Sequence, residues 1–257
     1  VITLEDKTSV ALNLSNVSTI VGTDAEIKAV YVLDQNGDVT GLGNEALSVT
    51  NTSTISELND LDLETTGVIT ANVSSGNVST MQGLTNANSN NAYSYTLTDT
   101  TLAVSSLNTL DAATAGTITV SATTLTGSAA DINTAYASSG LSGLGDEAVT
   151  IDDTSIAASV LNTLNSNTTG LITATSVATL TGTAEAINTL VGNEGDSGDK
   201  VNLDSDYVAT LSDTTITATV LNAVDGNVPG TVNASTVGTI TGSAADINTA
   251  YASSGLS

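Results

Sequence analysis

Apolar and polar residues alternate in short runs along this chain, and each run leads into a segment with a different spacing. In the stretch 170–190, the first half, LITATSV, alternates in the manner of one or two short strands. Gly182 interrupts the pattern. Apolar residues then recur at helical spacing, as Ala129, Ile132 and Tyr136 do in a related stretch. Each unit therefore predicts a short strand region, a tight turn at glycine and about two turns of helix.

A hydroxyl residue follows the glycine, and an acidic residue stands three positions later in several copies. This spacing is that of a capping box at the start of a helix. A second kind of unit alternates with the first and also predicts a helix. The capping pairs of the first kind are Ser128 with Asp131, Ser243 with Asp246, and Thr23 with Glu26. In one copy of the second kind, the apolar positions at helical spacing are Ile156, Val160, Leu161 and Leu164.

Both kinds of unit end in the same phrase, [IL]-N-T-[LA], on which the copies can be aligned. The aligned position recurs about every 27 residues, and the segment 126–142 returns unchanged at 241–257. Repeats of this length are typical of solenoids, in which each unit buries its apolar side only against its neighbours. The aligned residues are Ile27, Leu58, Asn88 (in a degenerate copy), Leu107, Ile132, Leu161, Ile187, Leu221 and Ile247.

The predicted fold is a single tandem-repeat solenoid over 1–257 with about nine coils. Each α/β coil contributes short parallel strands and one short helix, an outline that resembles a leucine-rich-repeat horseshoe. An all-β parallel β-helix is the alternative, because the helical segments are rich in Thr, Val, Ile and Asn, which are mediocre helix formers. The second copy stops inside a repeat at Ser257, so we expect a segment of a longer chain or fibre.

An asparagine follows the apolar residue of the shared ending in most units. A buried amide must find hydrogen-bond partners. An inward asparagine in each coil can bond backbone groups of the next coil, so we expect a structural ladder rather than a ligand site. The asparagines are Asn59, Asn108, Asn133, Asn162, Asn188, Asn222 and Asn248.

The composition excludes several classes of function. The chain has no Cys, His or Arg and only three lysines against 27 acidic residues, with a formal charge of −24. Disulfides, thiol nucleophiles and the usual zinc ligands are therefore absent. A basic patch for nucleic acid cannot form, and no apolar run approaches the roughly 20 residues that span a bilayer. We expect no catalytic activity, since the common bases and nucleophiles are missing.

Three acidic loops indicate calcium as the cofactor. Hard cations bind clustered carboxylate and carbonyl oxygens. The first loop, 34–38, resembles the start of an EF-hand loop. Solvated carboxylates that keep a large fibre soluble are the alternative. The candidate ligands are Asp34, Asn36 and Asp38 in the first loop, Asp196 and Asp199 in the second, and Asp204 and Asp206 in the third.

The repeated phrase TGSAADINTAYASSG, its companion TSIAASVLNTL and the TTG linkers at Thr65–Gly67 and Thr168–Gly170 resemble repeats in very large acidic surface proteins of marine cyanobacteria. Those proteins include giant cell-surface proteins associated with swimming and adhesion. The resemblance covers most of the chain beyond about residue 65. It implies an exported, extracellular, structural role in which calcium is commonly involved.

The expected function is therefore that of an extracellular structural repeat protein, such as a filament, a surface layer or an adhesin stalk. An uncapped parallel edge favours association, so we expect end-to-end self-association, with contact to a surface or a polysaccharide. One alternative is an ice- or surface-binding module, because Thr-x-Thr pairs recur, as at Thr173 and Thr175. Another is the shaft of a viral or secreted fibre.

Overall fold

The computed structural model of the chain describes Lys7 and residues 9–85, 90–198 and 200–257. Within these ranges the fold is α/β, with many short strands that alternate with helices. Every pairing between the described strands is parallel. The predicted α/β class is confirmed and the all-β alternative is wrong. The arrangement is compatible with a repeat solenoid.

Short helices follow most of the glycine turns. In the described part of the chain they are α1 (Asp24–Asn36), α2 (Ile55–Asp62), α3 (Val78–Met81), α4 (Val104–Ala112), α5 (Ala129–Ala137), α6 (Ala158–Asn167), α7 (Ala184–Gly192), α8 (Ala218–Asn227) and α9 (Ala244–Ala252).

The strands are two to eight residues long. They are β1 (Leu12–Asn13), β2 (Thr19–Gly22), β3 (Val39–Thr40), β4 (Ala46–Ser53), β5 (Ile69–Val73), β6 (Ala92–Leu97), β7 (Thr101–Ala103), β8 (Ile118–Val120), β9 (Thr124–Gly127), β10 (Leu141–Ser142), β11 (Ala148–Ile151), β12 (Ser155–Ala157), β13 (Ile172–Ala174), β14 (Thr179–Gly182), β15 (Val201–Leu203), β16 (Val208–Leu211), β17 (Thr215–Thr217), β18 (Val232–Asn233) and β19 (Thr239–Thr241).

The chain divides into two compact units. The first comprises the described residues up to Thr100 together with Ser106–Ala122 and Ser138–Gly143. It contains a six-stranded sheet in the order β10-β8-β6-β5-β4-β2 and the pair β1-β3. Its core contains the buried side chains of strands and helices alike, for example Leu47 and Leu58.

The second unit comprises Thr101–Ser105, Thr123–Ala137 and Leu144–Ser257. It contains a five-stranded sheet (β15-β13-β11-β9-β7), a four-stranded sheet (β12-β14-β16-β18) and the pair β17-β19. Each strand pairs with the strand about one repeat further along the chain, so that Thr124 stands opposite Ala148. Successive helices from α5 to α9 contact one another.

Alternation in the strands and helical spacing in the helices bury the same kinds of residue in each repeat. Leu125 in β9 and Leu180 in β14 are fully buried, as are Ile132 in α5 and Ile187 in α7. Threonines on either side of these strand residues are more exposed. Because one repeat presents only a few apolar residues, its core is completed by the repeats beside it.

Glycine is required where β9 turns into α5. Gly127 has a φ of 137°, which side-chain-bearing residues rarely adopt. A Cβ at this position would also lie 2.7 Å from Cγ1 of Val104. The predicted caps follow this turn. Thr23 and Glu26 form a capping box at α1, while the hydroxyls of Ser128 and Ser243 accept from the N–H groups of Asp131 and Asp246, as predicted.

One predicted helical residue lies in a strand instead. Ile156 belongs to β12, where it stands opposite Leu180, and α6 begins only at Ala158. A β-branched side chain fits a half-buried strand better than a first helical turn, and the parallel partner decides between the two. The buried face of α6 therefore consists of Ala158, Leu161 and Leu164. The degenerate marker Asn88 lies outside the described residues.

Candidate functional site: contacts between neighbouring repeats

The first group of predicted calcium ligands lies at the end of a helix. Asp34 and Asn36 are in the last turn of α1, and Gly37 ends the helix in the left-handed conformation. The backbone carbonyl of Asp34 accepts from the Gly37 N–H, and the side chain of Asp38 is exposed. This segment is therefore a glycine-terminated helix end rather than an open loop.

The other predicted ligands lie on either side of β15. Asp196 is exposed, Asp204 is half-buried and Asp206 is exposed in the turn after the strand, while Asp199 lies outside the described residues. In the ranges that the structure covers, no three or more Asp or Glu side chains cluster closely enough to hold a metal ion. Calcium binding stays a prediction.

Acidic side chains of one repeat cap the helix of the preceding repeat. The Asp153 carboxylate accepts from the Ala129 N–H at 2.8 Å, and the Asp213 carboxylate accepts from the Ala184 N–H at 2.8 Å. The first N–H groups of a helix have no partner within the helix, and its N-terminus carries partial positive charge. Each carboxylate therefore satisfies a backbone donor of its neighbour and joins two repeats.

The first unit contains the same device. The Asp99 carboxylate accepts from the Val78 N–H at 2.9 Å, and the amide oxygen of Asn51 accepts from the Asp24 N–H at 3.0 Å. Asp24 is itself buried, and burial raises its pKa. Hydrogen bonds from Asn51, Ser53 and the Ala25 N–H outweigh this and leave the pKa below its ordinary value of 3.8.

The recurrent asparagines reach from one helix to the next. In each of three cases the side-chain amide donates to a backbone carbonyl of the following helix, 24 to 27 residues further on. These bonds are Asn133 to Val160 (3.1 Å), Asn162 to Ala186 (2.9 Å) and Asn222 to Asp246 (3.0 Å). Each bond gives the NH₂ group of the side chain a backbone acceptor and links adjacent helices.

The remaining asparagines have different surroundings. Asn59 donates to the Gly83 carbonyl at 2.8 Å and accepts from the Thr85 N–H. Asn188 accepts from Asn227 at 3.3 Å. Asn108 is in α4, and Asn248 is exposed in α9. A single ladder through all seven positions stays a prediction.

A buried glutamate occurs where the phrase Gly-Leu-Gly-[Asp/Asn]-Glu-Ala precedes a strand. Glu147 is 1% exposed, and its Oε2 accepts from the Tyr136 hydroxyl at 3.0 Å and from the Gly145 N–H at 2.9 Å. Tyr136 belongs to the preceding repeat. A buried carboxylate is costly unless hydrogen bonds compensate for lost water, so these donors determine where it can lie.

The first unit repeats this arrangement. Glu45 is 1% exposed and accepts from the Tyr31 hydroxyl, from the Gly43 N–H at 2.9 Å and from the Asn44 N–H at 3.1 Å. A tyrosine hydroxyl and a glycine N–H donate to the buried glutamate at both sites. The arrangement is therefore a recurring contact between repeats.

The Thr-Thr-Gly phrases complete these contacts from the other side. The Thr168 hydroxyl donates to the Glu147 carbonyl at 2.8 Å, and a Cβ on Gly170 would lie 2.2 Å from that same carbonyl oxygen. Thr65 donates to the Glu45 carbonyl at 2.7 Å, and Gly67 packs equally closely. Hydroxyl donation and close backbone approach explain why Thr and Gly recur at these positions.

Burial keeps the tyrosines of these contacts in their neutral form. Desolvation raises the pKa of Tyr31 and of Tyr136 above the ordinary value of 10.0. The neighbouring charges of Glu45 and Glu147 act in the same direction. A neutral phenol is a hydrogen-bond donor, so the arrangement is suited to holding two repeats together.

Sequence reasoning missed Glu45, Glu147, Asp99, Asp153 and Asp213 as contacts between repeats. Two signals in the sequence could have found them. The phrase Gly-Leu-Gly-[Asp/Asn]-Glu-Ala occurs twice, at 41–46 and 143–148. The second kind of unit also repeatedly begins with Asp followed by Thr.

Comparison with known proteins adds no further evidence: no family model, no curated protein and no solved structure matches the chain. None of the helices in the described ranges is long and apolar enough to cross a membrane.

Proposed function

We propose that this chain is a structural repeat protein of the cell exterior that works as part of a filament, a surface layer or an adhesin stalk. Its role is mechanical rather than catalytic. The proposal includes end-to-end association and contact with a surface or polysaccharide.

The observation that supports the proposal is the recurrence of contacts between successive repeats. Parallel strand pairs, the Asp153 and Asp213 caps and the buried Glu147 each join a repeat to the adjacent one. A net charge of −24 keeps such a chain soluble and discourages random aggregation. These properties suit a load-bearing element better than a binding pocket.

Single-molecule stretching tests the mechanical role. We expect the chain to lengthen in steps of about 90 Å, because a repeat of about 27 residues extends at 3.3–3.6 Å per residue. Asp213→Ala removes an inter-repeat cap and should lower the unfolding force of one step. Asp152→Ala removes an exposed carboxylate and serves as the matched control. Equal forces for both variants, with no stepwise lengthening, would contradict the proposal.

Assembly is tested by sedimentation velocity and negative-stain imaging of the purified chain over increasing concentration. Linear particles that lengthen with concentration are expected. Compact monomers at every concentration would remove end-to-end association from the proposal and leave only the mechanical role within one chain.

Calcium is part of the proposal through the acidic residues that flank β15. A site filled at ten times its dissociation constant would stabilise the chain by about 1.4 kcal/mol. Thermal unfolding with calcium and with a chelator measures this directly. The double variant Asp204→Asn, Asp206→Asn should unfold at the same temperature with calcium and with the chelator. Asp152→Asn, at an exposed carboxylate that is not a candidate ligand, is the matched control.

A second candidate function is binding to ice or to another regular surface. Four threonine side chains on β17 and β19 are exposed and stand in register across two parallel strands, with Ile216 buried between two of them. The four are Thr215, Thr217, Thr239 and Thr241. Parallel strands hold such hydroxyls about 4.8 Å apart. Measured thermal hysteresis that disappears in Thr217→Lys would support this function, and no hysteresis in the native chain would exclude ice binding.

A further inference from the structure

One helix in the second unit is repeated in sequence but not in surroundings. The segments 126–142 and 241–257 are identical, and their helices α5 and α9 have matching bounds. Both helices begin with a serine cap that binds an aspartate three residues later. Among the described residues, a further repeat covers α5, and no described repeat covers α9 in the same way.

The repeat that follows α5 contacts it at three polar points. Asp153 accepts from the Ala129 N–H, the Val160 carbonyl accepts from the Asn133 amide, and Glu147 accepts from the Tyr136 hydroxyl. All three partners are acceptors, and two of them are carboxylates. In addition, β11 pairs with β9 over four residues.

The corresponding donors of α9 have no hydrogen-bond partner among the described residues. They are the Ala244 N–H, the Asn248 amide and the Tyr251 hydroxyl, which we name together the α9 face. Tyr251 is 78% exposed. Ala244 is exposed and Ile247 half-buried, whereas the equivalent Ala129 and Ile132 are fully buried.

An apolar groove lies next to this face. It has a volume of about 210 Å³ and is lined by Ile240, Ala250, Tyr251 and Leu256, among others. Three donors beside exposed apolar surface match a partner that brings acceptors together with apolar side chains.

We propose that the α9 face is a docking surface for an acidic repeat that begins Gly-Leu-Gly-[Asp/Asn]-Glu-Ala. The glutamate of that repeat accepts from Tyr251. An aspartate six residues after the glutamate, as Asp153 follows Glu147, accepts from the Ala244 N–H. The first strand of that repeat pairs with β19. This inference rests on the proposed structural function and names the partner of that function.

The internal copy favours this partner over other apolar segments. The sequence of the surface is the same at both places, so a repeat that fits α5 presents matching chemistry to α9. An acidic partner must also overcome repulsion from a chain of charge −24, so added salt should strengthen docking.

The test extends the full chain after Ser257 with a copy of 143–167. Nitration of tyrosine by tetranitromethane reports the exposure of Tyr251, and trypsin separates this residue from Tyr136 by cleavage after Lys200. We expect nitration of Tyr251 to slow at least tenfold in the extended chain. Buried Tyr207, in the same tryptic fragment, is the internal reference.

Two control extensions distinguish specific docking on the α9 face from shielding of Tyr251 by any added chain. One carries the same residues in scrambled order, and the other replaces only the residues that correspond to Glu147 and Asp153 by Gln and Asn. The proposal is supported if the native extension slows the nitration of Tyr251 and each control extension slows it at least fivefold less. Equal protection by all three, or by none, overturns it.

The proposed function can fail separately. If the native extension protects Tyr251 but the chain shows no stepwise unfolding and forms no linear particles, the docking surface stands and the mechanical role does not. If stepwise unfolding occurs and Tyr251 stays reactive, the mechanical role stands and the docking surface does not.

Discussion

The two identical segments 126–142 and 241–257 differ in what surrounds them. Both form a strand, a glycine turn and a capped helix, and in both a serine hydroxyl after the helix donates to an aspartate of the preceding repeat, Asp111 or Asp225, at 2.6 Å. Tyr136 nevertheless lies half-buried against Glu147, while Tyr251 is 78% exposed. Local structure is thus encoded within the segment, and burial is supplied by the following repeat.

The largest expected difference comes from the buried isoleucine. Ile132→Ala should destabilise the chain by about 2–5 kcal/mol, because the side chain is fully buried and a cavity remains. Ile247→Ala should cost about 1 kcal/mol, because that side chain is only half-buried. Denaturant unfolding followed by far-UV circular dichroism measures both. Equal losses would show that the two helices have the same surroundings in solution.

The tyrosine hydroxyl gives the next largest difference. Tyr136→Phe removes a donor from the buried carboxylate of Glu147 and should cost about 1.5–3 kcal/mol. Tyr251→Phe changes an exposed side chain and should stay within about 0.5 kcal/mol. The pair is compared by denaturant midpoint at pH 7. If Tyr251→Phe lowers the stability as much as Tyr136→Phe does, the hydrogen bond from Tyr136 to Glu147 does not account for the loss.

The asparagines sharpen the comparison at the level of a single neutral hydrogen bond. Asn133→Ala removes the bond to the Val160 carbonyl and should cost about 0.5–1.5 kcal/mol. Asn248→Ala, at the exposed equivalent, should have a smaller effect. NMR-detected hydrogen exchange distinguishes the two identical sequences. Faster exchange is expected in α5 and α6 for the first variant only.

The smallest effect is a pH dependence. Burial, reinforced by the charge of Glu147, raises the pKa of Tyr136 above the ordinary 10.0, so the folded chain favours the neutral phenol. The resulting stabilisation is present below pH 10 and is lost as the pH rises through the raised pKa. The stability difference between the native chain and Tyr136→Phe should therefore shrink above pH 10. The effect of Asn133→Ala, which removes no titrating group, should stay constant.

The repeat, the parallel α/β class and the helix starts were predictable, because each depends on residues close together in sequence. Thr23 with Glu26 predicts a capping box from spacing alone, and the structure contains it. The place of Ile156 was not predictable in this way, because its strand partner Leu180 belongs to another repeat. Spacing alone cannot decide between a helix and a strand when a distant partner completes the sheet.

The contacts between repeats were harder to predict than the repeats themselves. Glu147 and Asp153 resemble solvated surface carboxylates until the helix of the preceding repeat is placed beside them. Conversely, Asp34 and Asn36 have the spacing of a metal-binding loop, but they belong to the last turn of α1. Residue type and spacing identify an acceptor, and only the neighbouring repeat determines which donor it meets.

The aspartate caps give the array a direction. Asp153 and Asp213 each stabilise the start of a helix that precedes them in the chain. Loss of a later repeat therefore removes the cap of an earlier helix, whereas loss of an earlier repeat leaves the later caps in place. Under heat or tension, we expect the repeats to unfold one after another from the C-terminal side. Each repeat that detaches removes a helix cap from the repeat before it and so weakens it.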